Sequence, residues 1–329
     1  MPTPLFFQLE SLSAEALAAE AAAGLRANPA AVSPKFFYDA LGSRLFDAIT
    51  ELDEYYPTRV EAGIFAADAQ AIADAALSAS GPAPMLVDLG AGNCAKAARL
   101  FPVLAPRRYV AVDISVDYLR DALAALQRAW PQMELAGVGQ DFASHLALPA
   151  ALAAPPGTGT LVFYPGSSIG NFAPAEALRL LRQMHALAAQ AGQGGKGGLL
   201  IGADLVKDVH VLEQAYDDAL GVTAAFDLNL LRRLNALLGA DFDLRQWRHV
   251  ARFDVPRSRI EMHLLAREAL TVRWPDGERR FAAGEGIHTE NSYKWQPEAF
   301  EALLREAGYT QVRRFTDARG WFGVFVAAV

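Results

Sequence analysis

Short apolar runs alternate with stretches of helical period through the first two-thirds of this chain, and the alternation predicts a sheet interleaved with helices. Leu86-Val87-Asp88-Leu89 is one such run; it ends at Gly90-Ala91-Gly92, after which Asn93-Cys94-Ala95-Lys96 reads as a helix start. Tyr109-Val110-Ala111-Val112-Asp113 is a second run, and further strands are expected near 133–138, at 160–164 and at 199–204. Between them the helical period predicts helices over 60–79, 95–104 and 174–191, and one opening at Ser115 as N-cap with Tyr118, Leu119, Leu123 and Leu126 as its apolar stripe. Strands separated in this way build βαβ units and a parallel sheet.

The flanks follow other patterns. Residues 14–28 are alanine-rich, with Leu17 and Leu25 on a helical period, and predict a helix ending near Asn28-Pro29. Across 35–59 aromatic residues crowd together and Gly42 and Pro57 interrupt them, so no regular amphipathic helix is expected; the segment reads as a packed core edge or as a lid. Gln193-Gly194-Gly195-Lys196-Gly197-Gly198 lacks the first glycine and the Ser/Thr of a phosphate loop and is expected to be a flexible connection. Helical periodicity (Leu212, Tyr216, Leu230, Leu234, Leu237, Leu238) predicts an inserted helical segment from 208 to about 250. Strands at 259–266 and 270–274, a turn at Pro275-Asp276-Gly277-Glu278 and a polar loop from Gly284 to Ser292 follow. A helix at 297–307, stopped by Gly308, and strands at 310–315 and 320–328 close the chain, which has no internal repeat.

The run ending at Leu89 carries the first chemical signal. A strand turning over two glycines lets backbone N–H groups approach a ligand without a Cβ in the way. Asp113 ends the next strand about twenty residues on, where nucleotide-binding α/β sheets place a carboxylate on a ribose diol. Both features suit an adenosyl-type cofactor, either S-adenosylmethionine or a dinucleotide, because Gly90-x-Gly92-x-x-Ala95 also satisfies the dinucleotide fingerprint. In open sheets ligands lie beyond the carboxyl ends of the strands, so Gly139-Gln140-Asp141-Phe142 and Pro165-Gly166-Ser167-Ser168-Ile169-Gly170-Asn171-Phe172 are expected to open on the same crevice.

Composition narrows the class further. With 52% apolar and 20% charged residues over 329 positions, the chain can bury a full core. A net charge of −7 with arginine pairs scattered along the sequence argues against nucleic acid as partner. A single cysteine, Cys94, excludes an intrachain disulfide framework and a cysteine-based zinc site, and the six histidines show no metal-ligand spacing with carboxylates. No secretory signal and no apolar run of membrane-spanning length are read, so a cytoplasmic protein is expected. Five strands alternating with helices, then a helix and two strands, fit the class I methyltransferase form of the doubly wound, Rossmann-like α/β sheet, whose last strand is antiparallel. That order favours S-adenosylmethionine over a dinucleotide.

Specific residues then resemble a family. Tyr38-Asp39-x-x-Gly42-Ser43-x-Leu45-Phe46, Ile49-Thr50 and Glu54-Tyr55-Tyr56-Pro57-Thr58-Arg59 resemble the N-terminal signature of the L-histidine Nα-methyltransferases of ergothioneine biosynthesis (the dimethylhistidine N-methyltransferase family). The resemblance continues through Gly166–Asn171, Gly202–Asp208, Ala215–Asp218, Gly221–Phe226, Ile260–Met262 and Thr289–Lys294, covering the chain from about residue 30 onward. It departs at Gln140, where glycine is expected, and at Asp227, where asparagine is commoner.

The resemblance implies transfer of three methyl groups from S-adenosylmethionine to the α-amine of histidine and of its mono- and dimethylated forms, with S-adenosylhomocysteine as co-product and hercynine as product. It implies a cofactor site of Tyr38, Gly90, Lys96, Asp113, Asp141 and Phe142. The histidine site it implies is Phe46, Tyr55, Gly166, Asn171, Tyr216, Met262, Glu290 and Ser292. It further implies a cofactor-binding domain at 61–207 and 293–329, a smaller α+β substrate-binding domain at 1–60 and 208–292, and a monomer with no metal and no membrane or nucleic-acid partner. In such a transfer the protein aligns the amine and leaves it free of its proton. An α-ammonium of pKa roughly 8 gives that proton up readily, so a tyrosine oxygen, Tyr55 or Tyr38, suffices to orient the lone pair. Glu290 and Ser292 suit the two imidazole nitrogens, Asn171 and Tyr216 the substrate carboxylate. The rival readings are an N-methyltransferase of another amino acid such as tryptophan, a nicotinamide-dependent oxidoreductase, and a catalytically silent cofactor-binding regulator; an indole has no use for the Glu290 carboxylate.

Overall fold

A computed structural model of the chain describes residues 3–9, 13–190, 192 and 195–329. The chain divides into two compact units: Met1–Glu10, Arg59–Val206 and Lys294–Val329 form the first, Ser11–Thr58 and Lys207–Tyr293 the second.

The first unit is built on an eight-stranded sheet. Its strands run in the spatial order Leu5–Gln8, Glu134–Gly139, Arg108–Asp113, Met85–Leu89, Thr160–Tyr164, Gly197–Asp204, Phe322–Ala328 and Thr310–Thr316. The first six are parallel, and Phe322–Ala328 runs antiparallel to both of its neighbours. Every residue of Met85–Leu89, Thr160–Tyr164 and Gly197–Asp204 is buried, as strands covered on both faces must be, which is why they appear in the sequence as unbroken apolar runs. From Met85–Leu89 the chain builds outward to Glu134–Gly139, then returns to the other side of the starting strand at Thr160–Tyr164. The order therefore reverses beside the glycine turn, and the loops after Leu89 and after Tyr164 flank that switch point.

Several expectations are corrected here. The helix expected over 60–79 is two, Tyr56–Ala67 and Ala69–Ser80, because Asp68 leaves the helical backbone. That over 95–104 is also two, Ala95–Ala98 and Phe101–Leu104; Pro102 cannot donate an N–H to a continuing helix but fits a first turn. Ser115 does precede the helix Val116–Ala129, but its side chain makes no capping bond. Leu5–Gln8 adds an edge strand to the first unit, where the sequence assigned residues 1–60 to the other part of the chain. Four residues at an edge carry too little periodicity to be read. Of the expected glycine-rich connection, residues 193 and 194 lie outside the described residues, and Gly197 and Gly198 already belong to the strand Gly197–Asp204.

The second unit has a four-stranded sheet in the order Ala30–Ala31, Gly286–Tyr293, Arg259–Ala266, Trp247–Asp254, a separate hairpin of Leu270–Trp274 and Gly277–Phe281, and the helices Ala14–Arg26, Ala40–Thr50, Val209–Gln214 and Val222–Leu238. The aromatic segment forms a regular helix after all, Ala40–Thr50, because Asp39 caps it: its Oδ1 accepts from the amides of Leu41 (3.1 Å) and Gly42 (2.7 Å). Gly42 is required there, since a Cβ would lie 1.7 Å from the Phe37 carbonyl oxygen. Phe36, Phe37, Tyr55 and Tyr56 are buried, and Phe37 stacks on Phe226 at 4.5 Å, so the segment is core. The polar stretch expected to be a loop is the strand Gly286–Tyr293; a bulge between His288 and Glu290 shifts its phase and hides the two-residue alternation. The helical insertion ends at Leu238, and Trp247–Asp254 is a strand with Trp247 and Ala251 buried and Arg248 and Arg252 exposed.

Candidate active site

In the first unit the glycine turn is backbone geometry before it is chemistry. Gly90 and Gly92 have φ of +67° and +52°, in the left-handed region that side chains disfavour. A Cβ on Gly92 would meet nothing within 4 Å, and one on Gly90 only the Phe142 ring at 3.9 Å, so the turn faces open space. Asp113 braces it: Oδ2 accepts from the Gly92 amide (2.9 Å) and Oδ1 from the Ser115 amide (2.8 Å). Burial pushes the Asp113 carboxyl up and those amides oppose the shift. The Ser115 hydroxyl and the Ile114 amide also hydrogen-bond to this carboxylate, so it is held from four sides. Next in the sheet, Asp141 follows Gln140, whose buried Oε1 has no hydrogen-bond partner among the described residues, and Phe142 packs edge-on against Tyr164 at 5.8 Å. An open glycine turn, a braced carboxylate and an orphaned buried acceptor fit an adenosyl group with its ribose diol and exocyclic amine.

Beneath the turn lies a second buried acid. Asp88 Oδ2 accepts from the Tyr109 hydroxyl at 2.7 Å, while Oδ1 has no partner among the described residues. Burial is the largest influence on Asp88 and raises its carboxyl to about 7; it also pushes the adjacent Cys94 thiol up to about 12. Cys94 is an inert core thiol.

Lys96 and Gly166 are joined by a residue the sequence did not single out. Glu61, 1% exposed on the helix Tyr56–Ala67, pairs through Oε2 with Lys96 Nζ at 2.7 Å. Its Oε1 accepts from the Gly166 amide at 2.6 Å. Gly202 leaves the room, since a Cβ there would lie 2.2 Å from Glu61 Oε1. A glycine inside an apolar strand was the available signal of close approach. On the same loop Ser167 Oγ accepts from the Asp204 amide (2.8 Å), and Asp204 forms a fully buried ion pair with Lys294 at 2.8 Å. Asn171 closes the short helical turn Ser168–Asn171 that follows.

In the second unit the expected substrate residues, with Tyr38 of the expected cofactor set, form an aromatic wall and a polar strand. Tyr38 packs edge-on against Phe46 (6.0 Å), Phe46 against Tyr55 (6.2 Å) and Tyr55 against Tyr216 (6.0 Å). The Tyr216 hydroxyl lies 2.7 Å from Ser292 Oγ. Strand register sets Met262 opposite Glu290 and Ile260 opposite Ser292, which puts Met262, Glu290 and Ser292 on one face. The expected residues thus fall into two sets. Tyr38, Phe46, Tyr55, Tyr216, Met262, Glu290 and Ser292 belong to the second unit; Gly90, Lys96, Asp113, Asp141, Phe142, Gly166 and Asn171 belong to the first.

A family model described as histidine-specific, SAM-dependent methyltransferase matches residues 17–329. The chain belongs to that family. Among its relatives, a histidine N-alpha-methyltransferase of Mycolicibacterium smegmatis is 43% identical over 96% of this chain and 95% of that protein. One of Mycobacterium tuberculosis is 40% identical over 95% of each. Ergothioneine biosynthesis protein 1 of Schizosaccharomyces pombe is 26% identical over 88% of this chain and 38% of its own greater length. For a SAM-dependent methyltransferase the first unit supplies the sheet, the switch point and the glycine turn, and no redox reading is needed. Among the described residues no cluster of His, Cys, Asp and Glu could hold a metal ion, and no helix is long and apolar enough to cross a membrane.

Proposed function

We propose that the chain methylates the α-amine of L-histidine three times, giving hercynine, as a step of ergothioneine biosynthesis. The observation that carries the reading is the Tyr216–Ser292 hydrogen bond beside Glu290 and Met262 on one sheet face. It gathers a phenol, a hydroxyl, a carboxylate and a thioether, the groups that suit an amino acid with a two-nitrogen ring. Glu290 and Ser292 take the imidazole nitrogens, Asn171 and Tyr216 the carboxylate, and Phe46, Tyr55, Gly166 and Met262 complete the substrate set. Tyr38, Gly90, Lys96, Asp113, Asp141 and Phe142 hold the cofactor. In this reading the first unit supplies most of the cofactor-binding residues and the second, smaller unit most of the substrate-binding ones.

S-adenosylmethionine, when bound, supplies an electrophilic methyl on a sulfonium centre and leaves as the thioether. The protein's part is alignment and proton management. Tyr55 and Tyr38 present phenol oxygens that accept from the amine and direct its lone pair, and aromatic walls lower the amine's hold on its proton by excluding water. The ring and carboxylate contacts serve the mono- and dimethylated amines unchanged; the neutral dimethylated amine has no N–H left for the phenol oxygens, so in the last round those contacts align it. The enzyme acts as a cytoplasmic monomer on free histidine and takes no nucleic acid. Incubation of the purified chain with S-adenosylmethionine and each of the twenty amino acids tests this: a gain of about 42 Da, three methyl groups, is expected on histidine alone. Methylation of tryptophan instead would overturn the substrate, and methylation of none would overturn the activity.

A further inference from the structure

His249 and Asp227 have no part in the scheme above, yet they form a deeply buried acid–imidazole contact in the second unit, at 1% and 0% side-chain exposure. His249 Nε2 lies 2.8 Å from the backbone oxygen of Tyr216 and Nδ1 lies 2.6 Å from Asp227 Oδ2. A carbonyl oxygen has no proton to give, so Nε2 carries one and donates it. That leaves Nδ1 facing a carboxylate, either as a second donor or as an acceptor from a protonated acid. Burial opposes the charged imidazole; the Asp227 carboxylate, the Tyr216 carbonyl and, more weakly, Asp217 outweigh it and hold His249 above its ordinary range. These groups come from the strand Trp247–Asp254, the helix Val222–Leu238 and the turn that follows Val209–Gln214.

That turn is where Tyr216 sits. It lies outside the sheet strands, and its backbone bonds include the Tyr216 amide to the Glu213 carbonyl (3.0 Å) and the His249 bond to its own carbonyl. We propose that His249 is a positioning residue for substrate recognition: as an imidazolium locked between Asp227 and the Tyr216 carbonyl, it fixes the turn from which the Tyr216 hydroxyl reaches Ser292. The inference rests on the histidine reading for its functional consequence, because Tyr216 and Ser292 are the residues assigned to that substrate. The charge matters for a physical reason. A neutral imidazole can exchange tautomers and leave Nε2 without its proton, whereas an imidazolium donates from both nitrogens at once.

The experiment is nitrogen NMR on ¹⁵N-histidine-labelled protein, with kinetics on two Asp227 variants. In the wild type both His249 nitrogens are expected to remain protonated above pH 6.5, where an ordinary imidazole has begun to lose one, and the Nε2 signal to move on saturation with histidine. Asp227→Leu removes the acceptor and is expected to raise the histidine KM roughly tenfold, with kcat and S-adenosylhomocysteine affinity within about twofold. Asp227→Asn can donate its amide N–H to a neutral Nδ1, which keeps the proton on Nε2 but removes the charge, and is expected to recover only part of that KM while its spectrum shows a neutral ring. An unprotonated Nδ1 in the wild type would overturn the imidazolium. A histidine KM in the Leu variant within about twofold of wild type, or a wild-type Nε2 signal indifferent to histidine, would overturn the positioning role. The wild-type titration stands even where the Leu variant does not fold. Absence of any histidine methylation with normal S-adenosylhomocysteine binding would instead count against the substrate reading, and the proton state of His249 would still be decided by its spectrum.

Discussion

At the scale of single residues, the proposed function puts the choice of substrate on Glu290. It stands opposite Met262 and two positions from Ser292 on the same strand face. A carboxylate there gains a charge-assisted hydrogen bond from an imidazole whose second nitrogen is met by Ser292; an aliphatic side chain offers no donor, and an indole has one N–H and no second nitrogen. Glu290→Ala is therefore expected to cost about 1–3 kcal/mol of histidine affinity while leaving S-adenosylhomocysteine affinity unchanged, both measurable by calorimetry. Unchanged histidine binding in that variant would remove the assignment. Asp113 was legible from its place at a strand end after the glycine turn, a spacing that backbone geometry imposes. Glu61 was not, because its importance comes from partners 35 and 105 residues away, Lys96 and Gly166.

Elements meet at Glu61. One helix, the start of another and a loop are fastened by a single buried carboxylate, and Gly202 of the strand Gly197–Asp204 makes the space for it. Removing one partner of a buried pair leaves the other's charge or dipole without compensation. Glu61→Ala is expected to lower stability by about 2–3 kcal/mol, less than a fully buried pair would lose because Lys96 is 38% exposed, and to weaken cofactor binding. Gly202→Ala is expected to act in the same direction, since its methyl would collide with Glu61 Oε1 and the Phe322 ring. Urea denaturation with a parallel S-adenosylhomocysteine titration measures both effects. A Gly202→Ala protein as stable as wild type would show that the carboxylate is free to move aside.

The whole molecule registers pH through Asp88. Its carboxyl is raised from 3.8 to about 7 by burial, so between those values the folded chain holds a proton the unfolded chain has released. The stabilisation this provides is complete below pH 3.8 and is lost as pH rises through about 7. Asp88→Asn cannot ionise and is expected to lack this component. The stability difference between variant and wild type should shift in favour of the variant by on the order of 3 kcal/mol from about pH 4 to about pH 8, followed by denaturant unfolding. A difference that stays constant across that range would mean Asp88 is ionised throughout.

What the sequence by itself determined was whatever short-range physics writes locally. The buried parallel strands of the first unit appear as apolar runs because both of their faces are covered, and the glycine turn appears because only glycine accepts its backbone without strain. The family signature likewise lay in the order of residues along the chain. The tertiary structure alone decided that the polar stretch before Tyr293 is a strand, since a bulge erased its alternation, and that the aromatic segment folds as a capped helix in the core. It alone brought Glu61 to Lys96 and Gly166, Lys294 to Asp204, and His249 to Asp227 and the Tyr216 carbonyl. A buried polar group must find a partner, and which partner it finds depends on elements meeting in space, for which no spacing along the chain provides a rule.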